Sequence, residues 1–170
     1  RKRNQKKSSL GVALPATDTP TSGISLRLLG APALIRSGQP VAIKRRQARA
    51  LLFYVGAHDL TPRETLLGLL WPDKERVVAQ QNLRTLLHGL RRELGQALID
   101  EGQLRLAPEV QVDVRVFEAG LTGDRETLTR ALQLYRGEFL EGFGLAGAPA
   151  FEEWSLTERE RLRRLAVRGF

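Results

Sequence analysis

One amphipathic segment constrains the fold of this chain more than any other feature. Between residues 77 and 94, leucines recur at steps of three and four: Leu83, Leu86, Leu87, Leu90 and Leu94. At about 100° per residue, this spacing places them on one stripe of an α-helix that must be buried against a core. The residues on the opposite side are polar or basic: Gln81, Arg84, Thr85, His88 and Arg92, with Arg91 at the flank. The sequence therefore predicts a helix that packs on one side and is solvated on the other.

A shorter helix precedes this segment, so residues 62–95 predict two consecutive helices joined by a loop over residues 72–76. Thr61 can cap the shorter of these two helices, and Glu64 can complete a capping box there. Trp71 ends that helix and is large enough to anchor the junction in the core. A second helix with Arg, Gln and Thr on its solvated face is suited to reading base edges in a DNA major groove. The alternative is an ordinary solvated helix surface.

Short β-type runs flank the helices. In residues 24–43 the runs ISLRLLG, PALIR and VAIK are separated by Gly- and Pro-containing turns, which predicts an antiparallel meander. Residues 45–57 predict the first helix. In residues 97–114 the runs LID and QLRLA flank Glu101-Gly102 and predict a hairpin, with VQVDV following. An N-terminal antiparallel sheet, three helices and a C-terminal wing hairpin define an α+β winged helix-turn-helix.

The remainder of the chain is predicted to be an all-α segment. Asp113 is expected to cap a helix over residues 115–121, and Asp124 another over residues 125–135. The Gly-rich connector GEFLEGFGLAGAP lacks the Lys-Ser/Thr of a phosphate-binding loop. A final helix begins near Pro149. Its apolar periodicity still runs at the last residue, and the first residue is not Met, so we expect a truncated or processed chain.

The basic charge is concentrated in the first two-thirds of the chain. Of the net charge of +8, residues 1–22 contribute five basic and one acidic side chain, residues 23–114 thirteen and nine, and residues 115–170 nine of each. This distribution favours a polyanionic partner, of which nucleic acid is the commonest and an anionic membrane surface the competitor. We expect a disordered basic tail over residues 1–22, which either adds phosphate contacts or only aids solubility. Residues 23–114 are the expected DNA-binding domain, and residues 115–170 the helical one.

The sequence lacks the motifs of an enzyme or a membrane protein. A hydrophobic content of 42% supports a core, but there is no apolar run near 18 residues and no signal-peptide pattern. The absence of Cys excludes disulfides and thiolate metal sites. His58 and His88 lack metal-binding spacing, and no nucleophile elbow is present. We therefore expect no catalysis, no metal, no cofactor, no small-molecule ligand and a cytoplasmic location.

Several spaced blocks resemble one known family. RQARALLFYV, LLGLLWPD, NLRTLLHGLRRELG and DVRVFEAGL resemble successive parts of the SARP-type (AfsR/DnrI-like) bacterial transcriptional regulators, whose winged helix is of the OmpR type. ALQLYRGEFLEGF and APAFEEWSLTERERLRRLA resemble the start of their bacterial transcriptional activator domain (BTAD), which is similar to tetratricopeptide repeats. The resemblance covers about residues 24–170. It implies a nucleoid-associated regulator, usually an activator, that recognises promoter repeats in double-stranded DNA. It also implies contacts with RNA polymerase and helices that serve dimer or polymerase contacts.

Specific roles follow for individual residues. We assign base contacts to four residues of the long helix: Gln81, Arg84, Thr85 and His88. Phosphate contacts are assigned to six arginines: Arg45, Arg46, Arg49, Arg91, Arg92 and Arg105. By the resemblance, the loop that contacts polymerase comprises Asp73, Lys74, Glu75 and Arg76. The acidic wing tip at residues 100–102 argues against a minor-groove contact there. The alternative function is a protein-interaction module whose basic face binds acidic proteins rather than DNA.

Overall fold

The computed structural model describes residues 23–170, and the basic tail expected over residues 1–22 lies outside them. The described strands are β1 Ile24–Arg27, β2 Ala33–Arg36, β3 Gln39–Val41, β4 Thr61–Pro62, β5 Leu98–Asp100, β6 Gln103–Leu106 and β7 Gln111–Val112. The described α-helices are α1 Arg46–Ala57, α2 Arg63–Leu70, α3 Arg76–Leu94, α4 Asp113–Gly120, α5 Arg125–Gln133 and α6 Pro149–Gly169. A 3-10 turn, Gly95–Ala97, joins α3 to β5.

The strands form two small sheets. The first has the order β3-β2-β1-β7, in which β1, β2 and β3 are the predicted antiparallel meander. Its fourth strand, β7, lies in the predicted β-type run VQVDV, but its parallel pairing with β1 was not predicted. The third strand is Gln39–Val41 rather than the predicted run VAIK, because Gln39 pairs with Arg36 directly across the tight turn at Ser37-Gly38.

The predicted winged helix-turn-helix is confirmed. All five leucines of the long helix are buried, and they pack with apolar residues of α1 and α2 in one core. Trp71 is buried at the α2–α3 junction, as expected. Gly95 ends α3 with a φ of 54°, a conformation that side chains disfavour. Burial of each leucine contributes about 1.5–3 kcal/mol, so this stripe fixes the orientation of α3.

The predicted capping box at α2 is wrong. The N-cap of α2 is Pro62, and it makes no side-chain cap hydrogen bond. Thr61 instead belongs to β4, where it pairs with Leu104 of the wing, and its hydroxyl is buried without a hydrogen-bond partner. Glu64 forms an ion pair with Arg76. Pairing of the backbone with β6 therefore determines the conformation before α2, and the wing becomes a three-stranded sheet in the order β4-β6-β5.

The predicted cap at Asp113 is also wrong. Asp113 is the first residue of α4, and the N-cap, Val112, makes no side-chain cap hydrogen bond. The Asp113 carboxylate accepts hydrogen bonds from the backbone N–H groups of Leu28 at 2.8 Å and Leu29 at 3.0 Å. It therefore ties α4 to the residues that follow β1. By contrast, the predicted cap at Asp124 is confirmed, since its side chain accepts a hydrogen bond from Thr127 N.

The helices after β7 pack onto the winged helix through a continuous hydrophobic core. Phe117 of α4, Phe151 of α6 and Phe139 of the connector are fully buried in the same cluster as the leucines of α3. Backbone hydrogen bonds reinforce this packing: Leu140 N donates to Leu28 O, and Gly30 N donates to Glu138 O. The connector between α5 and α6 therefore lies against the first sheet.

Gly89 offers a test of the exposure of the outer side of α3. A Cβ built at Gly89 has no heavy atom within 4 Å, so nothing inside the chain requires glycine there. We expect Gly89→Ala to raise the free energy of unfolding by about 0.5–1 kcal/mol, because alanine is the better helix former. Gly56→Ala is the matched control, since its Cβ would lie 2.4 Å from Leu26 Cδ2 and should destabilise the fold. Chemical denaturation measures the change in the free energy of unfolding for each variant. A destabilising Gly89→Ala would contradict the open space around Gly89.

Candidate nucleic-acid interface

The outer face of α3 is open to solvent. The residues predicted to contact bases or to flank them are all exposed: Gln81, Arg84, Thr85, His88, Arg91 and Arg92. Thr85 Oγ1 donates a hydrogen bond to Gln81 O within the helix. Among the described residues, the side chains of Arg84 and His88 have no hydrogen-bond or ion-pair partner. This face therefore presents unpaired donors on a helix whose other side is fixed in the core.

A groove beside α3 brings predicted base-contact and phosphate-contact residues together. It has a volume of about 370 Å³ and runs between α3 and the segment that joins β3 to α1. Its polar and charged lining residues are Lys44, Arg45, Thr85, His88, Arg92 and Glu93. Arg45 and Lys44 are exposed, and neither has a described side-chain partner. We call this the α3 groove.

Arg46 and Arg49 of the predicted phosphate-contact set are turned toward the connector between α5 and α6. Arg46 Nε donates a hydrogen bond to Gly144 O at 2.5 Å. The guanidinium carbons of Arg46 and Arg49 lie 5.0 and 5.5 Å from the centroid of the Phe143 ring. At these distances the ring attracts both cations. The two arginines therefore already have partners within the chain.

Arg91 is paired with the wing, through an acidic residue whose role the sequence did not reveal. The Asp100 carboxylate forms ion pairs with Arg63 and, at 3.3 Å, with Arg91. Its side chain is only 7% exposed. The hydrogen bond from Arg63, together with the positive charges of Arg63 and Arg91, lowers the pKa of Asp100. Partial burial of the Asp100 carboxyl opposes this shift. Asp100 thus joins the wing to α2 and α3.

Arg105 lies on the other strand of the wing hairpin, where it faces a second groove of about 700 Å³. Arg92 lines this groove too, so it borders both surfaces. Across it, Arg36 forms an ion pair with Glu93 at 3.7 Å. Arg92 and Arg105 therefore line this groove together with Glu109 and the Arg36–Glu93 ion pair, so its lining carries charges of both signs.

The predicted polymerase-contact loop is exposed at the start of α3. Asp73, Lys74 and Glu75 are exposed, and the Lys74 backbone N–H donates to Trp71 O. The expected start of the helix at residue 77 is one residue late, because Arg76 is already the first residue of α3. The exposed Arg76 side chain forms an ion pair with Glu64 of α2.

Two negative observations hold for residues 23–170. No group of three or more His, Asp or Glu side chains is arranged to hold a metal ion. None of the helices in this part of the chain is both long and apolar enough to cross a membrane.

The fold defined by these elements is a winged helix-turn-helix joined to a helical segment. It is similar to the solved structure of Mycobacterium tuberculosis EmbR in complex with a low affinity phosphopeptide, with a TM-score of 0.63 and 21% sequence identity. The alignment covers 84% of this chain and 43% of that chain, so the present sequence spans less than half of the EmbR structure. No protein-family model and no curated protein matches the sequence. At this identity the likeness establishes the fold alone.

Proposed function

We propose that this chain is a sequence-specific binder of double-stranded DNA that regulates transcription, and not an enzyme. The observation that carries the proposal is the exposed polar face of α3, on which Arg84 and His88 have no described side-chain partner and which adjoins a groove with basic side chains. A recognition helix in a winged helix needs these two surfaces, one to read bases and one to contact phosphates. The predicted base contacts remain Gln81, Arg84, Thr85 and His88.

We further propose that the protein is a SARP-type activator, on the resemblance of its sequence blocks to that family. In this proposal residues 23–114 form the OmpR-type DNA-binding domain and residues 115–170 the start of a BTAD with tetratricopeptide-like helices. These helices serve dimer or polymerase contacts, and the loop of Asp73, Lys74, Glu75 and Arg76 contacts RNA polymerase. A cytoplasmic location follows from this function. The phosphopeptide belongs to EmbR and gives no ligand to this chain, which spans less than half of that structure.

Selection of bound duplexes from a random pool tests the proposal. We expect enrichment of a defined sequence, with repeats if two copies bind together. Binding of the enriched duplex should weaken steeply with salt, because phosphate contacts release counterions. Equal binding to all duplexes, with tight binding to an acidic protein, would instead support the protein-interaction module.

Arg45 provides the sharpest test of the phosphate contacts, because Arg46 and Arg49 already pair with the connector. We expect Arg45→Ala to weaken binding to all duplexes alike and to lower the salt slope by about 0.9. Arg125→Ala is the matched control, since Arg125 is an exposed arginine of α5 in the electrically neutral segment. The measurement is the affinity for the enriched duplex and a scrambled one at several salt concentrations. An unchanged salt slope in Arg45→Ala would show that Arg45 makes no phosphate contact.

A further inference from the structure

The first turn of α3 carries two exposed valines. Val77 is 74% exposed and Val78 is 43% exposed, whereas the apolar residues that follow in α3, from Ala79 to Leu94, are buried. Exposed valines at the start of a helix contribute nothing to the core. Their position relative to the polar face therefore decides whether they have another use.

Val77 lies on the polar face and not at its edge. At about 100° per residue, Val77 is within about 40° of Gln81, Arg84 and His88, and about 125° from the centre of the leucine stripe. Val78 is about 135° from the centre of the leucine stripe and lies about 20° beyond Thr85, on the side of the face away from Arg84. Val77 is thus one turn before Gln81, in line with the predicted base contacts.

From this placement we infer that Val77 contacts the C5-methyl group of a thymine in the major groove. The inference rests on the proposed DNA-binding function and specifies one contact within it. The N-terminal residues of a recognition helix are those that reach base edges, and the thymine methyl is the apolar group on the groove floor. One side chain matches one methyl group in size.

The surroundings favour DNA over a protein partner. Apart from Val78, the exposed residues of α3 that precede Val77 or share its face are charged or polar, among them Arg76, Gln81 and Arg84. Arg76 also forms an ion pair with Glu64 of α2. Among the described residues, Val78 is the one other large exposed apolar side chain on α3. Two valines form a patch much smaller than the several hundred Å² that mark a protein-docking surface. A small apolar contact within a polar surface therefore fits a base edge with a thymine methyl better than an apolar protein surface.

Deoxyuridine substitution tests the contact, because it removes the methyl group and leaves base pairing and the O4 acceptor intact. Each thymine of the enriched duplex is replaced in turn. At one position, we expect the wild-type protein to lose about fourfold in affinity, the value for one buried methyl-sized group. Val77→Ala should bind the thymine and deoxyuridine duplexes equally at that position. Val77→Ile should retain the difference, and so should the matched control Val167→Ala, at a valine of α6 that is 65% exposed.

Several outcomes would overturn the inference while the proposed function stands. One is a wild-type protein that prefers the enriched duplex but tolerates deoxyuridine at every position. Another is a Val77→Ala protein that keeps the full deoxyuridine penalty. A third is a Val77→Ala protein with unchanged DNA binding but weakened binding to RNA polymerase, which would make Val77 a protein contact. Wild-type protein with no preference among duplexes would refute the proposed function itself.

Discussion

Arg84→Ala is expected to lower the affinity for the preferred duplex by about 5- to 150-fold and to relax the preference at one base pair. The range corresponds to the loss of about 1–3 kcal/mol for a base-reading arginine. Arg84 is exposed in the middle of the polar face of α3, and no described residue pairs with it. Its guanidinium can therefore donate two hydrogen bonds to guanine O6 and N7 without first breaking a contact in the protein. Binding measured against duplexes substituted at each position gives both the loss and its location.

Arg84→Lys separates base reading from charge. Lysine keeps the positive charge but not the planar pair of donors, so we expect a preserved salt slope and a relaxed base preference. Both variants should keep the unfolding free energy of the wild type within about 0.5 kcal/mol, because the side chain is exposed. If Arg84→Ala weakened binding to all duplexes equally, Arg84 would be a phosphate contact and its assignment as a base contact would be wrong.

The local features of the fold were predictable from the sequence because short-range rules determine them. The spacing of the leucines predicted the buried stripe of α3, and the Glu101-Gly102 pair predicted the wing turn. The cap at Asp124 was predictable because its partner, Thr127, is three residues away. In each case, the sequence within about one or two helical turns contains the whole cause.

The errors occurred where residues distant in sequence compete with a local rule. Thr61 and Asp113 both fit the N-cap pattern, but Thr61 pairs with Leu104 and Asp113 binds Leu28 and Leu29, 85 and 84 residues away. The same reason applies to the parallel pairing of β7 with β1. Local patterns do not contain these partners.

The candidate interface shows the same contrast between local causes and long-range contacts. Exposure of the α3 face could be predicted from the helical period alone. The contact of Arg46 with Gly144, 98 residues away, could not, and neither could the ion pairs of Asp100 with Arg63 and Arg91. Lys44 was missed because the run VAIK looked like a strand, although its position in a Lys-Arg-Arg sequence was a visible signal. Which of the six arginines are available to phosphate therefore depends on tertiary contacts.

Asp113→Ala is expected to lower the free energy of unfolding by about 2–5 kcal/mol, the largest stability effect we predict. The carboxylate is 7% exposed and accepts hydrogen bonds from two backbone N–H groups at the end of β1. Its removal leaves both donors without these bonds, at a cost of about 1–3 kcal/mol each. Asp59→Ala is the matched control, since the Asp59 side chain is fully exposed and lies 4.0 Å from Arg115. It should change stability by less than about 0.5 kcal/mol. Similar midpoints of urea unfolding for Asp113→Ala and Asp59→Ala would contradict a structural role for Asp113.

The pH dependence of the same site has a defined sign. Burial raises the pKa of Asp113, although the N–H groups of Leu28 and Leu29 oppose the shift. A carboxyl whose pKa is higher in the folded state contributes most below its unfolded pKa of about 3.9, and its contribution falls as pH rises through the folded pKa. Asp113→Asn lacks this titration, so its stability deficit relative to wild type should shrink as pH rises above about 4. Asp100, whose pKa is lowered, produces the opposite slope, but it is present in both proteins and cancels in the difference. A deficit that grows with pH would mean that the N–H donors outweigh burial and that the folded protein prefers the ionised carboxylate.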